Sequence, residues 1–222
     1  MKKCIFLIAA FVLATVASNA QTEKGSQTLG ASLGFDYNKT GGVYISPYDN
    51  SITPAGGKTT SFNIGPSYSY FIADKLDLGV SLSYGQSNTT YTNTPIYPEK
   101  QSSYAFISSI YLRKYYMFGD KLGLRTGPYF GYEKGDSKST YLGSNALNSE
   151  DSKYDEYSAG ARLEFVYYPS KKLGFAAYVA SIDWYYVKFD NGNFGNTSTD
   201  NVDLSLVNKG LTLSVFYSFG SK

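Results

Sequence analysis

Asp77, Arg113, Arg125, Arg162 and Glu164 stand in segments whose every second residue is apolar, on the opposite, polar side, so period-two geometry points all five one way. Carboxylates and guanidinium groups gathered in a narrow space serve either as a proton or ion path or as salt bridges that hold the structure closed. Charges in a low-dielectric interior must be paired to be tolerated, and a narrow interior leaves little room for mobile water. The closing role is therefore expected. A second acidic set, Glu150, Asp151, Asp155, Glu156, Asp190, Asp200 and Asp203, offers oxygen ligands of the kind calcium takes. No Asp-x-Asp-x-Asp-Gly loop accompanies them, and Asp190-Asn191-Gly192-Asn193 is a poor approximation, so they are read as solvated loop residues and no metal site is expected. Asn196-Thr197-Ser198 has the form of a glycosylation acceptor, a pattern too common to carry weight. Tyr44, Tyr48, Tyr91, Tyr97 and Tyr141 present contact area at low entropic cost and suit a binding role, whereas Trp184-Tyr185-Tyr186 are equally explained as anchors at a lipid–water boundary.

The ends of the chain narrow the chemistry further. Lys2 and Lys3 precede an apolar run from Ile5 to Val16, and Ser18-Asn19-Ala20 supplies the small residues a signal peptidase requires. Residues 1–20 read as a cleaved signal peptide and 21–222 as a single domain, because the run is far shorter than the roughly 20 residues of a membrane-spanning helix. Cys4, the only cysteine, leaves with the signal, and the chain has no histidine. Disulfides, Cys/His zinc sites, and thiol or imidazole catalysis are excluded together. Loss of Lys2 and Lys3 brings the 20 basic residues level with the 18 acidic ones, and nothing calls for nucleic acid.

The elements that must position the five charges are strands. Leu29, Ala31, Leu33, Phe35 and Tyr37 alternate with Thr28, Gly30, Ser32, Gly34 and Asp36, and the same split recurs down the chain. Eight segments result, at about 27–37, 60–72, 76–86, 103–117, 122–133, 156–168, 173–187 and 205–219, each near or somewhat above the 9–11 residues of a tilted membrane strand. Tight turns at Ala73-Asp74-Lys75, 118–121 and 169–172 alternate with four polar joins of roughly 17 to 22 residues, which are expected to be loops. Phe71-Ile72-Ala73-Asp74-Lys75-Leu76-Asp77-Leu78 is echoed at Phe118-Gly119-Asp120-Lys121-Leu122-Gly123-Leu124, and more loosely at 168–175, marking one hairpin each.

An apolar face can meet lipid outside or a ligand inside, so a soluble lipid-binding barrel is the competing architecture. Aromatic placement favours lipid. Tyr37, Tyr84, Tyr104, Tyr132, Tyr157 and Tyr185 fall on the apolar face at the long-join ends, and Tyr68, Tyr70, Tyr116, Tyr167, Tyr217 and Phe219 near the tight-turn ends. Two aromatic girdles bracket an aliphatic band, as in a transmembrane barrel. Eight strands leave an interior filled by side chains, so a pore is not expected, although a narrow ion channel through the charged lumen remains the alternative. Pro66 and Pro128 lie inside strands and predict a bulge or local bend at each. Ile107, Tyr111 and Tyr115 are bulky for inward positions.

The aromatic-x-x-Asp-Lys-Leu-x-Leu turns, Leu112-Arg113-Lys114-Tyr115-Tyr116, and the final strand ending Val215-Phe216-Tyr217-Ser218-Phe219 resemble the small outer-membrane β-barrel domain family, the eight-stranded barrels similar to the membrane domain of OmpA and to OmpX. The resemblance implies an all-β, antiparallel up-and-down transmembrane barrel with short periplasmic turns and long extracellular loops. It further implies a bacterial outer membrane containing lipopolysaccharide as surroundings and the barrel-assembly machinery as folding partner. No cofactor is expected. The expected role is non-enzymatic, structural or in surface interaction through the loops.

Overall fold

The structure, a computed structural model, describes residues 22–45, 52–92, 99–142, 147–190, 196–206 and 211–220. The expected signal segment, Tyr48, Tyr97 and residues 191–193 of the weak calcium-like loop lie outside them. Nine strands form: β1 (Gln27–Ile45), β2 (Ile52–Ala73), β3 (Leu76–Thr92), β4 (Lys100–Met117), β5 (Leu122–Leu142), β6 (Leu147–Tyr167), β7 (Leu173–Asp190), β8 (Asn196–Leu206) and β9 (Leu211–Phe219). Every pairing is antiparallel between chain neighbours, apart from β1 with β9 and β7 with β9. β8 and β9 lie beside successive parts of β7, so the nine strands occupy eight positions in a closed ring.

The strands are far longer than the apolar alternation alone predicts. β5 and β6 run 21 residues each and stay paired to Leu142 opposite Leu147. At about 3.4 Å per residue β5 extends roughly 70 Å. A tilted crossing of the apolar band needs only about half of that. The segments expected as long loops therefore fold for the most part as hairpin arms. Their sequences hide this because both faces are polar: Thr59 and Thr89 meet hydroxyl to hydroxyl at 2.9 Å, and Ser61 and Ser87 at 2.8 Å. Ladder hydrogen bonds and such cross-strand pairs hold the arms without an apolar face.

The short turns behave as read. Lys75 takes a left-handed φ of 60° in the first and Gly119 one of 93° in the second, while the Ser170 hydroxyl accepts bonds from the Lys172 and Leu173 amides in the third.

Two expectations about strand regularity are corrected. Neither proline carries a bulge: the register of β2 on β3 and of β4 on β5 is the same on both sides of Pro66 and Pro128, with pairing merely skipped there. Glycine precedes each proline, and a Cβ at Gly65 or Gly127 would stand 1.9 Å from the carbonyl oxygen of Leu82 or Leu112. The neighbouring strand comes in close where the ladder is interrupted, which accommodates the missing N–H locally. The register shifts occur elsewhere, between Phe71 and Ala73 on β2 and on β7 where Leu163 faces Ala180 but Glu164 faces Tyr178. The β7 irregularity reverses the parity of that strand. Tyr185, expected on the apolar face, is opposite Ser158 on the inner face, and Tyr186 takes the outer place beside Trp184.

Among the described residues, β1 pairs with β9 only over Gln27–Phe35 and beyond that with β2 alone, while β8 pairs with β7 alone. Amides of Asp36–Ile45 that point away from β2 are expected to exchange with deuterated solvent at least tenfold faster than those of Thr28–Gly34, a difference measurable on barrel folded in lipid. Equal protection along β1 would mean that this seam is zipped in solution.

Candidate functional site in the barrel lumen

Phe71, Tyr115, Val166, Tyr168, Ala176 and Phe216 form a buried cluster at the short-turn end, and all but Phe216 are at most 2% exposed. Tyr168 meets Phe216 edge-on at 5.4 Å and Phe71 meets Tyr115 at 5.3 Å. The rings fit because small residues face them: a Cβ at Gly174 would be 2.2 Å from the Phe216 ring. This apolar layer is the floor of the lumen. Its residues alternate with outward apolar ones, Phe71 between Tyr70 and Ile72 and Phe216 between Val215 and Tyr217, so parity was the signal that could have found it.

Four of the five predicted charges meet above the floor. Asp77, fully buried, receives Arg113 Nε at 3.1 Å and Nη2 at 2.6 Å, the Ser69 hydroxyl at 2.8 Å and the Tyr115 hydroxyl at 3.1 Å. Glu164 receives Arg125 Nε at 2.7 Å and Nη2 at 3.1 Å. Arg125 also donates to the Tyr115 hydroxyl at 3.3 Å, and Arg113 Nη1 lies 4.0 Å from Glu164, so the two forked pairs are joined into one layer. Fork-to-fork geometry is the strong form of such pairs. Tyr111, bulky for its position, lies under Arg113 with the guanidinium carbon 3.9 Å from its ring centroid. It has room because a Cβ at Gly79 would be 2.5 Å from that ring.

Arg162 stands apart from the predicted network. Its guanidinium carbon lies 3.6 Å over the Tyr129 ring, and among the described residues no carboxylate oxygen is within 4.0 Å of its nitrogens. A second polar chain, not anticipated, runs past it: the Tyr178 hydroxyl bonds to Ser181, Ser181 to Asp183, and the Tyr129 hydroxyl donates to Asp183 at 2.5 Å. The β7 irregularity turned Ser181 and Asp183 inward, which an unbroken alternation could not foresee. A polar chamber of about 440 Å³ opens on these layers, lined by Arg113, Arg125, Arg162, Glu164 and Asp183 together with several serines.

All seven of the acidic residues read as loop residues are in strands, Glu150, Asp151, Asp155 and Glu156 in β6, Asp190 at the end of β7, and Asp200 and Asp203 in β8. Glu156 is directly opposite Glu133, which accepts a bond from the Tyr154 hydroxyl at 2.6 Å. Among the described residues no three of His, Cys, Asp and Glu are arranged to hold a metal ion.

On the outer face, Tyr37, Tyr104, Tyr157, Tyr68, Tyr70, Tyr116 and Tyr167 are exposed. Tyr84 and Tyr132 share that face, Tyr84 5.4 Å from Phe106 and Tyr132 5.3 Å from Tyr157, and Tyr217 stacks on Phe219 at 6.4 Å. Exposed Leu33, Ile64, Val80, Leu82, Ile110 and Leu213 lie between the two rows.

Solved structures of three outer-membrane proteins are similar to this chain. The outer membrane protein OprG of Pseudomonas aeruginosa superimposes with a TM-score of 0.53 at 13% identity, over 92% of this chain and 100% of its own. The N-terminal β-barrel domain of Pseudomonas aeruginosa OprF is matched at 0.32 and 18%, over 90% and 100% of the two chains. The attachment invasion locus protein Ail of Yersinia pestis is matched at 0.32 and 16%, over 88% and 99%. No curated protein matches in sequence. The profile described as outer membrane protein β-barrel domain matches residues 19–181, well over half of the chain. A closed antiparallel ring, greasy outside and charged within, carrying that profile, belongs to the outer membrane protein β-barrel domain family and resides in the bacterial outer membrane.

Proposed function

We propose that the protein is a closed, non-enzymatic barrel whose role is surface interaction, exercised by the strand hairpins that continue beyond the membrane. Closure of the lumen is the observation that carries this reading. The apolar floor from Phe71 to Phe216 and the Arg–carboxylate layer above it are two consecutive barriers that close the bore below the polar chamber. The charges then act as braces between β3, β4, β5 and β6 and not as an ion path. The four hairpins formed by β1–β2, β3–β4, β5–β6 and β7–β8 are what remains to meet a partner, with Tyr91 and Tyr141 near two of their tips. The outward aromatic rows hold the barrel at the two membrane borders, residues 1–20 are removed on export, and the assembly machinery and the lipopolysaccharide leaflet are its surroundings.

Purified protein in planar bilayers is expected to give no stable unitary current. Currents that disappear when Arg113 or Arg125 is replaced would establish the ion-channel reading instead. Trimming the β5–β6 hairpin beyond Glu133 and Glu156 is expected to abolish cell-surface attachment while leaving heat-modifiable gel migration intact. Hydrolysis of lipid or peptide by the purified protein would overturn the non-enzymatic part.

A further inference from the structure

The outer wall carries a notch across β2 to β5. Ser108 points outward at mid-wall, opposite Leu82 on one side and Tyr132 on the other, where its neighbours on the same face of β4 are Phe106 and Ile110. Pro66 is the second small outward residue beside it. The notch measures about 570 Å³, within the roughly 300–1,000 Å³ of sites that hold small molecules. Its walls include Ile64, Pro66 and Leu82, with the tilted rings of Tyr84 and Phe106, 5.4 Å apart between centroids, beside them.

One charged group lines it. Lys134, exposed, is one outward step beyond Tyr132, next to Phe106 on β4 and Asp155 on β6. Asp155 takes the Tyr132 hydroxyl at 2.5 Å, and among the described residues no carboxylate oxygen lies within 4.0 Å of the Lys134 ammonium. Tyrosine rings at a membrane border mark the headgroup level, so this ammonium stands at the depth of lipid phosphates.

From this arrangement we infer that the notch is a specific site for one phosphorylated lipid of the outer leaflet, with an acyl chain seated against Ser108 and Pro66 and a headgroup phosphate on Lys134. An apolar slot capped by one cation matches that amphiphile in shape and charge, whereas a zwitterionic phospholipid offers its phosphate with a competing ammonium. The site adds a binding role to a barrel whose surface role is proposed above and does not depend on that role.

Native mass spectrometry of the detergent-solubilised barrel with added lipid A, its dephosphorylated form, or phosphatidylethanolamine tests the assignment. One saturable lipid A adduct is expected, with binding of the other two weaker by about fivefold or more, the worth of one surface cation at a membrane. Ser108→Phe fills the notch from the lipid side and is expected to reduce the adduct at least tenfold. Lys134→Gln should erase the preference for phosphate while leaving residual binding, and Lys39→Gln, at the rim of β1, should change nothing. All variants are compared as barrels that keep heat-modifiable migration. Multiple unsaturable adducts, equal binding of the three lipids, an undiminished adduct in Ser108→Phe, or a preserved preference in Lys134→Gln would each overturn the proposal.

Discussion

Asp77→Ala is expected to destabilise the folded barrel by about 3–5 kcal/mol, the cost of breaking a buried ion pair and leaving one charge behind. Asp77 is wholly enclosed and accepts four hydrogen bonds, while the Arg113 side chain keeps 13% exposure. Once the carboxylate is gone, the one carboxylate left near Arg113 among the described residues is Glu164 at 4.0 Å, which Arg125 already occupies. Removing both partners, as in Asp77→Ala with Arg113→Met, should recover at least half of the loss, because no uncompensated charge is then buried. Arg162→Met serves as the contrast, with an expected cost of about 1 kcal/mol or less, since that guanidinium rests on one ring. Urea unfolding in lipid vesicles measures all four proteins. If Asp77→Ala costs no more than Arg162→Met, the layer does not brace the barrel.

Gly127→Ala is expected to cost more than about 3 kcal/mol, beyond the usual range for overpacking, and to lower the yield of folded barrel severely. The added Cβ would stand 1.9 Å from the Leu112 carbonyl oxygen and 3.1 Å from the Arg113 Cα, both backbone atoms of the adjacent strand. A flexible side chain could swing away from such a clash. A strand held on both sides in a closed ring cannot, and Arg113 would be carried off its carboxylate as the strand moved. Gly65→Ala meets the same obstacle at the Leu82 carbonyl oxygen and should behave alike. Gly41→Ala, where nothing lies within 4 Å, is expected to be harmless. The fraction of heat-modifiable protein after refolding reads all three, and normal refolding of Gly127→Ala would show that the close approach is not required.

Much of the lumen was legible because a strand's period of two converts residue order directly into side. Asp77, Arg113, Arg125 and Glu164 were assigned to one interior from alternation alone, and the structure brings those four into contact. Arg162 has the correct parity but the wrong company, since parity says which face a residue occupies and not which neighbour lies across the bore. Tyr185 failed differently. One irregular step on β7 reverses every side chain beyond it, and no residue in Tyr178-Val179-Ala180 announces that step.

Taken by itself, the order of residues determined the class of fold, the membrane it suits, and which charges face inward. Only the tertiary structure decided how far the strands continue, which arginine holds which carboxylate, where aromatic rings close the lumen, and that a serine at mid-wall opens a notch beside Lys134. The division has a physical cause: facing is set within a strand by local backbone geometry, whereas partners, closure and cavities depend on the register between strands, and that is settled by residues far apart in the chain.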